Sequence, residues 1–226
     1  MRTITKYELK AILESHQLWL RDEGGERANL RSANLRSANL SYADLSYANL
    51  SYANLSYADL SYADLRSASL RSASLRYADL SSADLSYANL RPASLRYADL
   101  NSANLRYADL RSADLSNSDL RYADLRYANL RYADLSTSRI NCAIGNMAEI
   151  KTLLLEVWPI TYTAEHLHIG CERHLISDWW DFDDDRIARM DIKALGWWKK
   201  WKDFIRQAIE MSPAVPTGRE ESDAAA

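Results

Sequence analysis

Leucine recurs at every fifth position from Leu30 to Leu135, inside the phrase Ala-Asp/Asn/Ser-Leu-Arg/Ser-Tyr/Ser. On an α-helix a step of five advances about 500°, roughly 140° past a full turn, so the leucines would spiral around every side. No apolar stripe results, and one long helix is excluded. Within each phrase Ala and Leu are two apart with a polar residue between them, the alternation of a short strand with one buried face. Two polar residues follow, so the phrase reads as about three extended residues and then a corner. Three extended residues cover roughly 10 Å, close to the spacing of packed sheets, and four such sides close a square. One coil then takes about twenty residues, and coils stack at about 4.8 Å through parallel strand hydrogen bonds. Leu30, Leu50, Leu70, Leu90, Leu110 and Leu130 are predicted to stack inside, with the alanines near the corners.

The run from Ala28-Asn29-Leu30 and Ala33-Asn34-Leu35 to Ala133-Asp134-Leu135, with Ser138-Arg139-Ile140 as a decayed last copy, resembles the signature of the pentapeptide-repeat family. That resemblance implies a mainly β fold, a right-handed quadrilateral parallel β-helix, over about half the chain. Three departures stand out: Ser118 takes the place of an inward alanine, the frame is lost after Asn141-Cys142-Ala143-Ile144-Gly145, and Phe is absent from the array.

Other segments flank the array. Residues 1–25 hold an amphipathic pattern, Leu9, Ile12, Leu13, His16, Trp19 and Leu20, with Thr5 and Glu8 as a capping box and Gly24-Gly25 as a stop. This predicts a helix across the open first coil, with His16 hydrogen-bonded beneath it. The array occupies residues 26–145, and residues 146–211 form a separate α+β unit containing six of the seven tryptophans. In that unit Leu153 to Thr163 and Leu167 to Ile169 read as strands, interrupted by Pro159 and ended by Gly170. Ser177 is a candidate cap for a turn at Trp179-Trp180, and helices are predicted from Asp183 and from Asp191, the second reaching Met211. Residues 212–226, with Pro213, Pro216 and Gly218, read as a disordered tail. The stretch from His16 to Ala28 and the run from Ile169 to Lys202 are similar to the leader and carboxy-terminal segment of phage and bacterial pentapeptide-repeat proteins.

No basic start followed by a long apolar run is seen, so neither a signal peptide nor a membrane span is expected. Two cysteines are too few for a disulfide framework, and a reducing cytoplasm is the expected compartment. From Glu26 to Ile140 fourteen arginines face twelve acids, a net charge of +2, while beyond Ile140 fifteen acids face ten bases.

Four residues within nine, His166, His168, Cys171 and His174, are possible zinc ligands, although four ligands on one short hairpin strain to make a tetrahedron. The reading preferred on sequence is a structural cysteine with partly exposed histidines, without metal or cofactor. Asp178, Asp181, Asp183, Asp184 and Asp185 lack the glycine and final glutamate of a calcium loop and read as helix caps. Residues twenty apart should stack, which assembles Arg31, Arg71, Arg91, Arg111 and Arg131 into one column and Asp59, Asp79, Asp99 and Asp119 into another two sides round. Tyr57, Tyr77 and Tyr97 should stack at a corner, as should Tyr87, Tyr107 and Tyr127.

Some members of the family protect gyrase by mimicking DNA with a strongly acidic rod, which a net charge of +2 on the array argues against. The reading is therefore a non-enzymatic scaffold, monomer or dimer, meeting a protein partner or another copy through its charged faces. Nucleic acid and membrane are not expected partners. DNA mimicry toward a type II topoisomerase is the first alternative, and a metal- or Cys/His-dependent activity beyond the array is the second. The monotony of the outward positions fits either recent repeat expansion or engineering to a consensus.

Overall fold

A computed structural model describes residues 1–217. Chain order runs β1 (Arg2–Thr3), α1 (Lys6–Leu20), β2 (Ala33–Asn34), β3 (Lys151–Leu155), β4 (Trp158–Tyr162), β5 (His166–Ile169), β6 (Glu172–Leu175), α2 (Ile176–Asp181), α3 (Asp184–Ala188) and α4 (Ala194–Met211).

Between α1 and β3 the chain winds as predicted. Parallel bridges join each outward residue to the one twenty later, from Asn29↔Asn49 to Asp124↔Ile144, with a turn after every central residue. Four sides therefore make one coil. Leu30, Leu50, Leu70, Leu90, Leu110 and Leu130 are wholly buried, and nearly every alanine of the array lies beside such a leucine. Ile140 and Ala143 are buried in the same core, and Ile144 still bridges Asp124.

Most corners are closed by three hydrogen bonds. After Leu30, the Ala33 N–H donates to Leu30 O at 3.1 Å and the Ser32 N–H donates to Ser51 O of the next coil at 2.9 Å. The Arg31 N–H donates to Asn29 Oδ1 at 3.3 Å. This set bends the chain through a left-handed residue, with φ between 55° and 63° at every fifth position from Ser32 to Cys142 except Pro92. Tyrosine and serine fill most of these positions, joined by Asn117, Thr137 and Cys142, and none is glycine. Side chains with a Cβ resist that conformation by about 1–2 kcal/mol, so it persists only because the flanking bonds fix it. Pro92 cannot adopt it and has no N–H, so this one corner lacks the bond to the next coil that Ser72 makes to Arg91 O at 2.9 Å.

At the first coil β1 pairs in parallel with β2 and occupies the place of a preceding coil. Thr5 and Glu8 form the capping box of α1, and Leu9, Ile12 and Leu13 pack against the leucine core. At the other end Gly145 stands where the next leucine would be. A Cβ there would run into Ile150 O, and Ile150 is wholly buried in the array core. Asn146 supplies the polar closure: its Nδ2 donates to Ala128 O at 3.0 Å, while its Oδ1 accepts from the N–H groups of Ala148 and Ile150.

Residues 151–175 form one antiparallel sheet in the order β3-β4-β5-β6. Several expectations are corrected. Pro159 does not interrupt a strand but sits within β4 opposite Leu154, next to the tight turn where Glu156 has φ 47°, so its missing N–H falls at the hairpin end. A strand unforeseen in the sequence, β6, follows Gly170. The helix expected from Asp191 starts at Ala194, because Asp191 instead closes a turn onto the Lys193 N–H. Residues 212–217, expected to be disordered, are tied to both units: Ala214 is buried in the core of the tryptophan-rich unit, the Val215 N–H donates to Ala148 O, and Thr217 O accepts from the Tyr132 N–H of the array. Those bonds fill groups that a further coil would have used. The remainder of that expected tail, residues 218–226, lies outside the described residues.

Two outcomes follow from this packing. Leu80→Ala should lower unfolding stability by about 2–5 kcal/mol in chemical denaturation, as for other buried leucines. Ser94 replaces the usual Asp/Asn, and among the described residues no side chain caps the Arg96 N–H as Asn29 caps that of Arg31, so Ser94→Asn should add roughly 0.5–1.5 kcal/mol by restoring one hydrogen bond.

Candidate functional site

The twenty-residue stacking sets Arg31, Arg71, Arg91, Arg111 and Arg131 along one corner. Their surroundings differ. Arg31 lies over the Tyr52 ring at 4.6 Å, Arg131 over Tyr132 at 5.6 Å, and Arg111 pairs with Asp109 at 2.5 Å. That hydrogen-bonded guanidinium holds the Asp109 carboxyl below the usual carboxylate range. Arg71 and Arg91 are exposed, with no ion pair among the described residues.

Asp59, Asp79, Asp99 and Asp119 also share a column, and each is occupied locally. Their Oδ1 atoms accept from the N–H groups of Ser61, Ser81, Asn101 and Arg121. The Ser61 hydroxyl and N–H lower the pKa of Asp59. Burial pushes Asp119 up, but the bonds and charges of Arg121 and Arg139 outweigh it and leave the pKa lowered. This column therefore holds corners together as well as carrying charge.

A second cationic column was missed in the sequence reading. The side that follows the arginine corner presents Asn34, Asn54, Ser74 and Ser94 outward, and no acid until Asp114. Arg31, Arg71 and Arg91 edge it on one side, and Arg36, Arg76 and Arg96 on the other. Along the second edge Tyr57, Tyr77 and Tyr97 stack with ring centroids 4.9 Å apart. Arg36, Arg76 and Arg96 lie over these rings at 4.4, 5.9 and 5.1 Å. Rings and guanidinium groups thus preorganise one another on a flat, acid-free face. The available signal was the substitution of Ser for Asp in Arg71-Ser72-Ala73-Ser74 and Arg91-Pro92-Ala93-Ser94. The opposite side carries Asp44, Asp64, Asp84 and Asp124, so charge is polarised across the rod.

Beyond the array the His/Cys quartet is divided. Register pairs His168 with Arg173 and Leu167 with His174, so His174 lies on the other face of the sheet from His166 and His168. Cys171 sits in the turn between β5 and β6 and is exposed. His174 Nε2 lies 3.1 Å from Glu172 and meets the rings of Trp179 and Phe182 edge-on. Among the described residues no three His, Cys, Asp or Glu side chains converge as a metal site.

His168 belongs to the seal over the last coil. Its Nδ1 lies 3.3 Å from Asn141 Oδ1, while Asn141 Nδ2 donates to Gly170 O at 2.7 Å. Thr152 Oγ1 donates to Ala143 O beside it. Burial, reinforced by Arg173, pulls the His168 pKa from 6.5 to about 3. At the other end His16 Nδ1 accepts from the Ala28 N–H at 3.2 Å, and the ring stacks on Trp19. Burial lowers its pKa as well. Both imidazoles are neutral connectors between a cap and a coil. No helix among the described residues is long and apolar enough to cross a membrane.

The sequence profile of the family described as pentapeptide repeats matches in eight copies, over residues 26–51, 48–86, 83–121 and 103–141. Among solved structures, HetL, a pentapeptide repeat protein involved in heterocyst differentiation regulation in Nostoc sp. strain PCC 7120, is 29% identical, with 52% of this chain and 76% of that one covered at a TM-score of 0.29. Rfr23 from Cyanothece 51142 is 26% identical, covering 57% and 95% at a TM-score of 0.38. QnrB1, a plasmid-mediated fluoroquinolone resistance protein, is 25% identical, covering 56% and 61% at 0.32. No curated protein matches the chain in sequence.

The buried imidazoles give acid sensitivity a definite window. His168 has a folded pKa below its unfolded one, so its contribution is present above pH 6.5 and is lost as pH falls toward about 3. The full loss is on the order of 3–5 kcal/mol. Stability measured between pH 6.5 and 4.5, where most carboxylates stay ionised, should fall for the parent chain and fall less steeply for His168→Gln. Equal slopes would show that His168 does not stay neutral in the folded state.

Proposed function

Since the chain belongs to the pentapeptide-repeat family, we propose that it is a non-enzymatic interaction scaffold, a capped rod whose arginine-edged side meets an acidic protein surface or the acidic side of a second copy. One observation carries this reading: six arginines border four stacked coils on a side without an acid. Guanidinium groups held over stacked tyrosines lose little freedom on meeting carboxylates, and their planar forks suit bidentate pairing. Both array ends are closed by other elements, which leaves the sides as the surfaces available for recognition. The Asx-type bonds at the corners assign most array aspartates a structural task and weigh against a surface whose acids serve chiefly to imitate a nucleic acid.

Gyrase supplies the direct discrimination. Micromolar protein should leave supercoiling by gyrase, and its inhibition by quinolones, unchanged; inhibition or protection would replace the scaffold reading with DNA mimicry. Self-association is tested by light scattering at low and high salt. Dimers that form at low salt and are abolished by Arg71→Glu with Arg91→Glu would identify a second copy as the partner, since exposed charge pairing weakens with ionic strength. A chain that stays monomeric at both salts would remove self-association and leave a separate acidic protein as the partner.

A further inference from the structure

The tryptophan-rich unit contains a cavity unrelated to the array surface. Trp158, Trp179, Trp197 and Trp198 line it together with Met190, Ile169 and Ile187, and it encloses about 80 Å³. Trp158 and Trp197 meet at 87° with centroids 5.2 Å apart, forming two perpendicular walls. Trp179 and Trp198 lie 5.3 Å apart at 43° and continue the enclosure. The remaining lining has a definite charge. Glu172 and Asp191 contribute carboxylates, and no Lys, Arg or His is among the lining residues. Cys171 and Asp191 are exposed, so the cavity reaches solvent at this edge. Trp197 is nearly buried, yet its Nε1–H has no acceptor among the described residues.

We propose that this cavity binds a small organic cation of the quaternary ammonium class. Aromatic faces carry negative quadrupoles, and several rings around one point attract a cation that is too weakly hydrated to prefer water. Two carboxylates at the edge add attraction without competing for the apolar methyl groups. The volume admits several waters or one compact alkylammonium group. The same carboxylates repel a phosphate placed beside the ammonium, which favours a free cation over a phosphocholine headgroup. Gly170 keeps the wall in place: a Cβ there would stand 2.9 Å from Trp158 Cδ1.

Choline, phosphocholine and the uncharged isostere 3,3-dimethylbutan-1-ol separate charge from shape in titrations of the full chain, followed by tryptophan fluorescence and calorimetry. Choline should bind saturably with a millimolar or lower Kd, and the isostere and phosphocholine should each bind about tenfold more weakly. Glu172→Gln with Asp191→Asn retains the hydrogen-bonding acceptors to His174 and the Lys193 N–H, so the fold should be kept. This double variant should lose about tenfold in choline affinity with its near-UV circular dichroism unchanged. Failure of choline to saturate, or equal affinity for choline and the isostere, would overturn the proposal; phosphocholine binding more tightly than choline would overturn the choice of a free cation.

Discussion

Every feature of the array depends on a corner that a residue with a Cβ ordinarily resists. A four-sided coil must turn through about 90° after three extended residues, and here it does so through a left-handed tyrosine or serine. The conformation is tolerated because the inward alanine closes onto the preceding leucine carbonyl, the corner N–H reaches the next coil, and an outward Asp or Asn receives the remaining N–H. Local turn and long-range ladder are thereby the same structure. Neither is stable without the other, which is the nearest-neighbour logic of stacked repeats.

That dependence makes the ends decisive, since the last coil has no neighbour to receive its bonds. The chain answers with unrelated devices. A short parallel strand and a helix held by His16 serve the first coil, while Ile150, Asn146, His168 and the returning residues 214–217 serve the last. Each replaces a backbone donor, a backbone acceptor or a leucine with a group of the same physical kind. A neutral imidazole can link a cap to a coil at these joints, whereas a charged one is disfavoured by burial.

The coil was legible because Leu, Ala and the outward polar residue repeat with one period, and period alone fixes which residues stack. The left-handed corners were not legible, since serine and tyrosine are poor signals for positive φ and no glycine occupies a corner position to mark it. The tail at 212–217 was misread for a similar reason. Prolines and small residues describe its own weak propensity, while its order comes from Ala148 and Tyr132, far away in the sequence. The hairpin from β5 to β6 shows how register decides chemistry: a zinc quartet written within nine residues is split between two faces once His168 pairs with Arg173.

Charge sorting required both levels. Stacking at a period of twenty was predictable and assembled the arginine column, but a column is only one edge of a surface. The side beside it became visible once Ser74 and Ser94 were seen to replace acids between Arg71 and Arg91 on one edge and Arg76 and Arg96 on the other. A serine at an Asx position gives up one corner hydrogen bond, worth roughly 0.5–1.5 kcal/mol, in exchange for removing a negative charge from that side. Ser69 makes the same exchange on the neighbouring side that carries Asp109, so what distinguishes the cationic face is the continuity of Ser74 and Ser94 between two arginine edges rather than the lost corner bond.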